Sequence, residues 1–461
     1  MRRRWQVAIV ALGVIGLALA GDFALLKYHE GAGPTAFTPQ ACAGTPTGQT
    51  PVDASVGLAS WTTLLGSFNH NPDIAPGAAF NASWSFSTGG SVVMAPAVSG
   101  GVVYAGSMDG CLYAIDASSG HLIWSFAADN QVMSEPLVTG GQVFFGSGNK
   151  EMVVTPGGLR RGTGQSAIYA LNAATGKMNW VYQTRGEDMP TPLISNGVVY
   201  AADGAQTFYA IDATSGKLLW KLDDGSYASM SSPVMVGNVA VFGGASPYAI
   251  IGVNTQTHKI AWKVPLPKAS GGVDDISPAA AGSTVFVQVP EGNLFPRSVE
   301  MAIDGNTGQI LWQRSLGTDY SNIVQEMIGS GYIGAHDGEE AGVATVSGGF
   351  LFVGSPGLAE MWALSAQSGQ IIWHAHVPQP VRTAPVLVGN SLYATGDSRL
   401  IQLAATTGAL IHSGVYNHFV EGSGIMIECS TSSPVVVGDT MFLAGGSNGS
   451  TVTAIPLGEL P

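Results

Sequence analysis

Apolar and polar residues alternate with a period of two over short runs along most of the chain, and Gly, Asn, Asp and Ser interrupt the runs. In the first clear unit the runs are Ala97-Val98, Val102 to Ala105, Leu112 to Ile115 and Leu122 to Phe126. They predict four short strands. The set then recurs. A phrase of the form Tyr-Ala-Ile-Asp-x-x-Ser/Thr-Gly-x-x-x-Trp spans Tyr113 to Trp124, Tyr169 to Trp180 and Tyr209 to Trp220, with looser copies from Ala302 to Trp312 and Trp362 to Trp373. Two copies are degraded: Ile251 to Trp262 has His258 in place of Gly, and Gln402 to His412 has His412 in place of Trp. A second phrase, Pro-x-Val-x-x-Gly-x-Val-Tyr, starts at Pro96, Pro136, Pro192, Pro233, Pro278, Pro385 and Pro434, and Ala344 marks the unit without Pro. Eight units result.

The Asp-x-x-Ser/Thr-Gly linker suits a tight hairpin, because Asp accepts turn N–H groups and Gly takes positive φ without a steric cost. The Trp that follows is expected to cover the seam with the neighbouring unit. Four-stranded antiparallel sheets repeated radially make a β-propeller, which hides its edges by closing. The last unit, Pro434 to Leu457, lacks a Trp strand, while Ser83-Trp84-Ser85-Phe86 is a Trp strand without a unit. The expected fold is therefore an all-β, eight-bladed propeller over residues 61–461 whose last blade is closed by an N-terminal strand. Trp-equivalent positions are spaced 40, 56, 40, 42, 50, 61 and 39 residues apart, which puts insertions near 147–165, 290–297 and 317–342. Long loops in a compact β-fold commonly carry function.

Arg2-Arg3-Arg4, the apolar run Val7 to Leu19 and the small-x-small site Ala18-Leu19-Ala20 read as a secretory signal over residues 1–20, with 21–60 as an extended segment. Extension through Phe23 to Leu26 would instead make an uncleaved anchor and a membrane attachment. Either way the chain is expected to work outside the cytoplasm. Charged residues make up 11% of the chain against about 25% in ordinary domains, and the net charge is −13. No basic stripe exists, so nucleic acid is excluded as a partner. In strong acid the charge would reach only about +27, which limits the self-repulsion behind acid unfolding. Secreted β-proteins are often charge-poor as well, so this composition fits both acid adaptation and simple export.

The repeated Ala-x-Asp-x-x-Thr-Gly-x-x-x-Trp phrase resembles the pyrroloquinoline-quinone (PQQ) type propeller repeat, from Trp61 to the C-terminus. The resemblance implies one of three functions: a quinone-dependent alcohol dehydrogenase, a scaffold of outer-membrane protein assembly, or a tetrathionate hydrolase. The dehydrogenase would need PQQ and Ca²⁺, and its vicinal Cys-Cys wall is missing, since Cys42, Cys111 and Cys429 are not adjacent. Three insertions and the lack of a Cys directly after the apolar run count against the scaffold. The hydrolase reading fits best: cleavage of an anionic polythionate with neither cofactor nor metal required. A small anionic substrate is the expected partner, with a homodimer left open.

In a propeller the connections that precede the innermost strands gather at the axis. Here they hold Met94, Met133, Met189 and Met230, then Asp274-Asp275, then Arg382. Asp275, with Asp274 beside it raising its pKa, is the candidate general acid toward a leaving sulfur. A turn or cap role before Pro278 is the alternative. Arg382 is placed to hold a sulfonate, or to neutralise Asp275, and Met189 and Met230 to line the substrate wall, or simply to pack. Lys150, Arg160 and Arg161 could guide an anion inward or stand idle in solvent. His336, Asp337, Glu339 and Glu340 form a polar cluster open to metal ligation or to solvent, Glu421 and Glu428 likewise. Cys429 is either a nucleophile toward sulfur or the cysteine left over from a disulfide.

Overall fold

The computed structural model describes residues 41–45, 73–74, 82–149, 151–155, 158–162, 165–292, 297–317, 342–355, 359–396, 399–416, 432–445 and 449–461. The described chain is all-β, apart from a 3-10 turn at Leu457–Glu459, and forms eight four-stranded antiparallel blades around one axis. Blade 1 is Ala97–Ser99, Val102–Gly106, Cys111–Asp116 and Leu122–Ala127, counted from the axis outward. The later blades begin at Leu137, Leu193, Val234, Ala279, Thr345, Val386 and Val435. The last blade borrows its outer strand from Trp84–Ser87, with Trp84 opposite Ala454 and Phe86 opposite Val452. Closure by an N-terminal strand removes the open edge of the ring.

Six of the eight seams share a repeated indole among the described residues. The Nε1–H of Trp84, Trp124, Trp180, Trp262, Trp312 and Trp373 donates to the carbonyl of Ala117, Ala173, Ala213, Gly305, Ala366 and Ala405, one blade further on, at 2.9–3.0 Å. Within its own blade the Trp lies opposite a small residue, as Trp124 does opposite Ala114, and the register slips just after that pair. The glycine of the next hairpin completes the dock. Gly176 has φ 67°, and a β-carbon there would stand 2.6 Å from the Trp124 ring. Glycine is thus required twice, by backbone and by space. In the same hairpins Asp116 accepts from the amides and hydroxyls of Ser118 and Ser119. Burial raises its pKa, but these donors outweigh burial and leave the carboxyl below its ordinary range.

Both degraded phrases keep their seams by other means. His258 adopts φ 57° where glycine is the rule, and its ring stacks on Trp220 at 4.6 Å. His412, in the Trp slot of blade 7, meets the Pro461 carbonyl through Nε2. Two N-terminal pieces add to the ring. Cys42 forms a disulfide with buried Cys111, 69 residues on, which lowers the entropy of the unfolded chain by an equivalent of about 4 kcal/mol on a loop-closure account. Asp73–Ile74 pairs in parallel with Val386–Val388, adding a fifth strand at the axial edge of blade 7. The sequence pattern did not signal this strand, because two residues cannot show a period.

Candidate functional site

Strand order puts the connections between blades and the loops joining second to third strands at one end of the ring. The blade 2 insertion lies there. It folds as a hairpin, Met152–Thr155 with Gly158–Arg161, and Arg161 ends it opposite Met152. Three backbone bonds then interlock it with blade 3: Arg161 N–H to the Gly204 carbonyl at 2.7 Å, Gly204 N–H to Glu187 at 2.9 Å, and Glu187 N–H to Arg161 at 3.1 Å. So close an approach excludes side chains. A β-carbon at Gly162 would stand 2.5 Å from the Glu187 nitrogen, and one at Gly148 would stand 2.6 Å from the Glu187 β-carbon.

The backbone lock brings together charges from blades 2, 3 and 5. Arg161 Nε lies 2.5 Å from the Glu187 carboxyl, and Nη1 lies 3.9 Å from Asp275 Oδ1. Glu187 is fully buried, whereas the Arg161 side chain is 18% and that of Asp275 29% exposed. Asp274 is buried, and its carbonyl accepts the amides of Ser229, Met230 and Ser231 at 3.2, 2.9 and 2.8 Å, which ties the blade 4 and blade 5 connections together. Burial pushes the Glu187 carboxyl well above its ordinary range; Arg161 pulls it down, and Asp275 and Asp274 push it up again. Burial lowers the pKa of Arg161, but Glu187, Asp275 and Asp274 outweigh that and keep it firmly charged. Tyr227, half-buried beside them, is held in its phenol form by burial and then by Asp274.

Further buried carboxyls flank this group. Asp188 accepts from the Thr184 hydroxyl and is raised well above its ordinary value by burial and then by Asp203. Asp203 takes the amides of Gly186, Ala205 and Thr207 and the Tyr209 hydroxyl, a set that bolts the blade 3 loop in place. Burial carries Asp224 to about 8, against the pull of Lys263.

The candidate residues separate on this geometry. Asp274, Asp275 and Met230 share one corner of the mouth, and Arg161 joins them. Met189 is 3% exposed and offers a ligand almost no surface, and Met133 is buried likewise. Arg382 is half-buried in the blade 7 connection, where its carbonyl accepts the Val343 amide. Lys150, His336, Asp337, Glu339, Glu340, Glu421, Glu428 and Cys429 lie outside the described residues. Glu187 escaped the sequence reading altogether. Its signals were Arg185-Gly186-Glu187-Asp188, three charges in four residues of a charge-poor chain, and the pair Gly146 and Gly148, whose missing side chains make room for Asp188 and Glu187 respectively.

The disulfide joins Cys42 to the third strand of blade 1, not two adjacent residues at the axis, and among the described residues no three His, Cys, Asp or Glu side chains converge as metal ligands. What converges is a guanidinium with carboxyls, which suits anion binding and proton transfer.

Repeat, ring and seams define a PQQ-type propeller, and the chain belongs to that repeat family. A sequence profile described as "Outer membrane protein assembly factor BamB" matches residues 52–190, 153–299 and 297–458. The chain is 31% identical over 462 residues, 88% of its own length and 87% of the relative's, to a protein named tetrathionate hydrolase from Acidithiobacillus ferrooxidans. It is 27% identical to BamB of Yersinia pestis over 34% of this chain and 41% of that protein. Among solved structures, BamB from Moraxella catarrhalis superposes with a TM-score of 0.58 at 17% identity, covering 80% of this chain and 98% of that one. Quinohemoprotein alcohol dehydrogenase from Comamonas testosteroni gives 0.59 at 15%, covering 87% and 81%. At such identities these two structures speak only for the fold.

Proposed function

We propose that this protein is an extracytoplasmic hydrolase of polythionates, acting at the mouth shared by blades 2, 3 and 5. The observation that carries the reading is the similarity to a tetrathionate hydrolase over 88% of this chain and 87% of that protein. The mouth supplies fitting chemistry. Arg161 turns Nε to Glu187 and leaves Nη donors toward Asp275, where a terminal sulfonate of the substrate would sit. Water attacks the sulfonate sulfur, and the sulfur–sulfur bond breaks with its electron pair on the departing sulfur. Asp275, at the wet edge, protonates that sulfur, and the proton released by the attacking water restores the acid. Arg382 gives a second anion contact from blade 7.

Tetrathionate loss by purified protein in acid tests this reading. Asp275→Asn should lower kcat by about 100-fold or more while leaving the fold intact. Arg161→Ala should mainly raise KM. Dye reduction that depends on PQQ, Ca²⁺ and an alcohol, with no polythionate loss, would replace the hydrolase by a dehydrogenase. Inactivity in both assays with a membrane protein co-purifying would favour a scaffold.

A further inference from the structure

One guanidinium at the mouth answers three carboxyls. Arg161 contacts Glu187 and Asp275 and feels Asp274, and the neutral hydroxyls of Ser229 and Tyr227 complete the surroundings, with Asp188 adding a fourth carboxyl behind Glu187. With Glu187, Asp274 and Asp275 all ionised, the group around Arg161 carries a net charge of −2. That group would repel a dianion. Glu187 is also the member that solvent cannot reach, so the charge it places on Arg161 is poorly screened. Once Glu187 is protonated its carboxyl still lies against the guanidinium, but it no longer cancels the cation.

We infer that the mouth takes up a sulfur-oxyanion dianion together with a proton, and that Glu187 is the positioning residue carrying this linkage: ionised, it occupies Arg161; protonated, it presents Arg161 to the ligand. The inference rests on the reading of this mouth as the anion site. It goes beyond that reading by naming the group that makes affinity depend on acidity. Burial favours the protonated form of Glu187 well above the usual carboxyl range, so the switch would operate where exposed carboxyls have already ionised.

The test is sulfate, an inert dianion, titrated calorimetrically into the full chain between about pH 5 and pH 8. For the wild type the affinity should stay level in acid and then fall by up to about tenfold per pH unit once Glu187 ionises, with about one proton taken up per anion bound. Glu187→Gln, which keeps the size and polarity of the side chain and removes the charge, should hold the acid-form affinity across this range and abolish that proton uptake. Glu187→Ala should likewise remove the pH dependence but bind more weakly than the Gln variant at every pH, because Arg161 loses its support. An unchanged slope in the Gln variant would overturn the inference while leaving the mouth an anion site. Failure of the wild type to bind sulfate at any pH would overturn both. Turnover of tetrathionate by Asp275→Asn reports on the catalytic reading separately.

Discussion

The seams between blades and the mouth at the axis are built on opposite terms. A seam repeats one solution: an indole donates to a carbonyl of the next blade and rests on a glycine, and six of the eight seams among the described residues use it. The mouth repeats nothing. Arg161, Glu187 and Asp275 each stand where other blades carry something else, and their charges meet across blades 2, 3 and 5. Repetition serves stability, since each blade must bury the same face. Departure from the repeat concentrates charge at one place in an otherwise charge-poor chain.

The comparison breaks most visibly at Trp124, which is 7% exposed and bonds to Ala173. Trp124→Ala leaves a cavity between blades 1 and 2 and an unpaired carbonyl, and should cost about 3–5 kcal/mol in denaturant unfolding. A loss under about 1 kcal/mol would show that the seams are not where the ring is held.

This contrast explains what the sequence could reveal. The blade count, the strands of blade 1 and the pairing of Trp84–Ser87 with the last blade were legible because each rests on local period and a phrase repeated many times. The mouth was legible only in part. Asp274 and Asp275 stand out as a break in a slot that elsewhere holds Met, but Arg161 looked like a loop base, and nothing local connects it to Glu187. Their meeting is decided by a hairpin inserted in blade 2 and by glycines that admit the blade 3 backbone. Such contacts span tens of residues and leave no period.

One departure lies outside the mouth and has an intermediate expected effect. Glu300 occupies a fully buried strand position that holds Leu112, Ile168, Phe208, Ile250, Met361 and Leu400 in other blades. Neither of its carboxyl oxygens has a hydrogen-bond partner, and burial raises its pKa well above the ordinary value. A raised folded pKa means full stability below the unfolded value of about 4.3, lost progressively as pH rises from there toward the folded value. Glu300→Met should therefore match the wild type to within about 1 kcal/mol in acid and exceed it by about 1–4 kcal/mol near neutrality. Parallel unfolding curves for the two proteins across that range would show that Glu300 does not titrate on unfolding.

The smallest expected effect tests whether a seam tolerates a different solution. At blade 4 the glycine is His258, whose positive φ costs roughly 1–2 kcal/mol against glycine. Its stack on Trp220 returns about 0.5–1.5 kcal/mol. Glycine would relieve the backbone but lose the stack and enlarge the entropy of the unfolded chain. These terms nearly cancel, so His258→Gly should change stability by less than about 1 kcal/mol while shifting Trp220 fluorescence to the red as the indole loses its cover. A stabilisation above about 2 kcal/mol would mean that the stack contributes nothing and that the seam merely tolerates His258. A comparable loss would make the histidine a second way of building the seam.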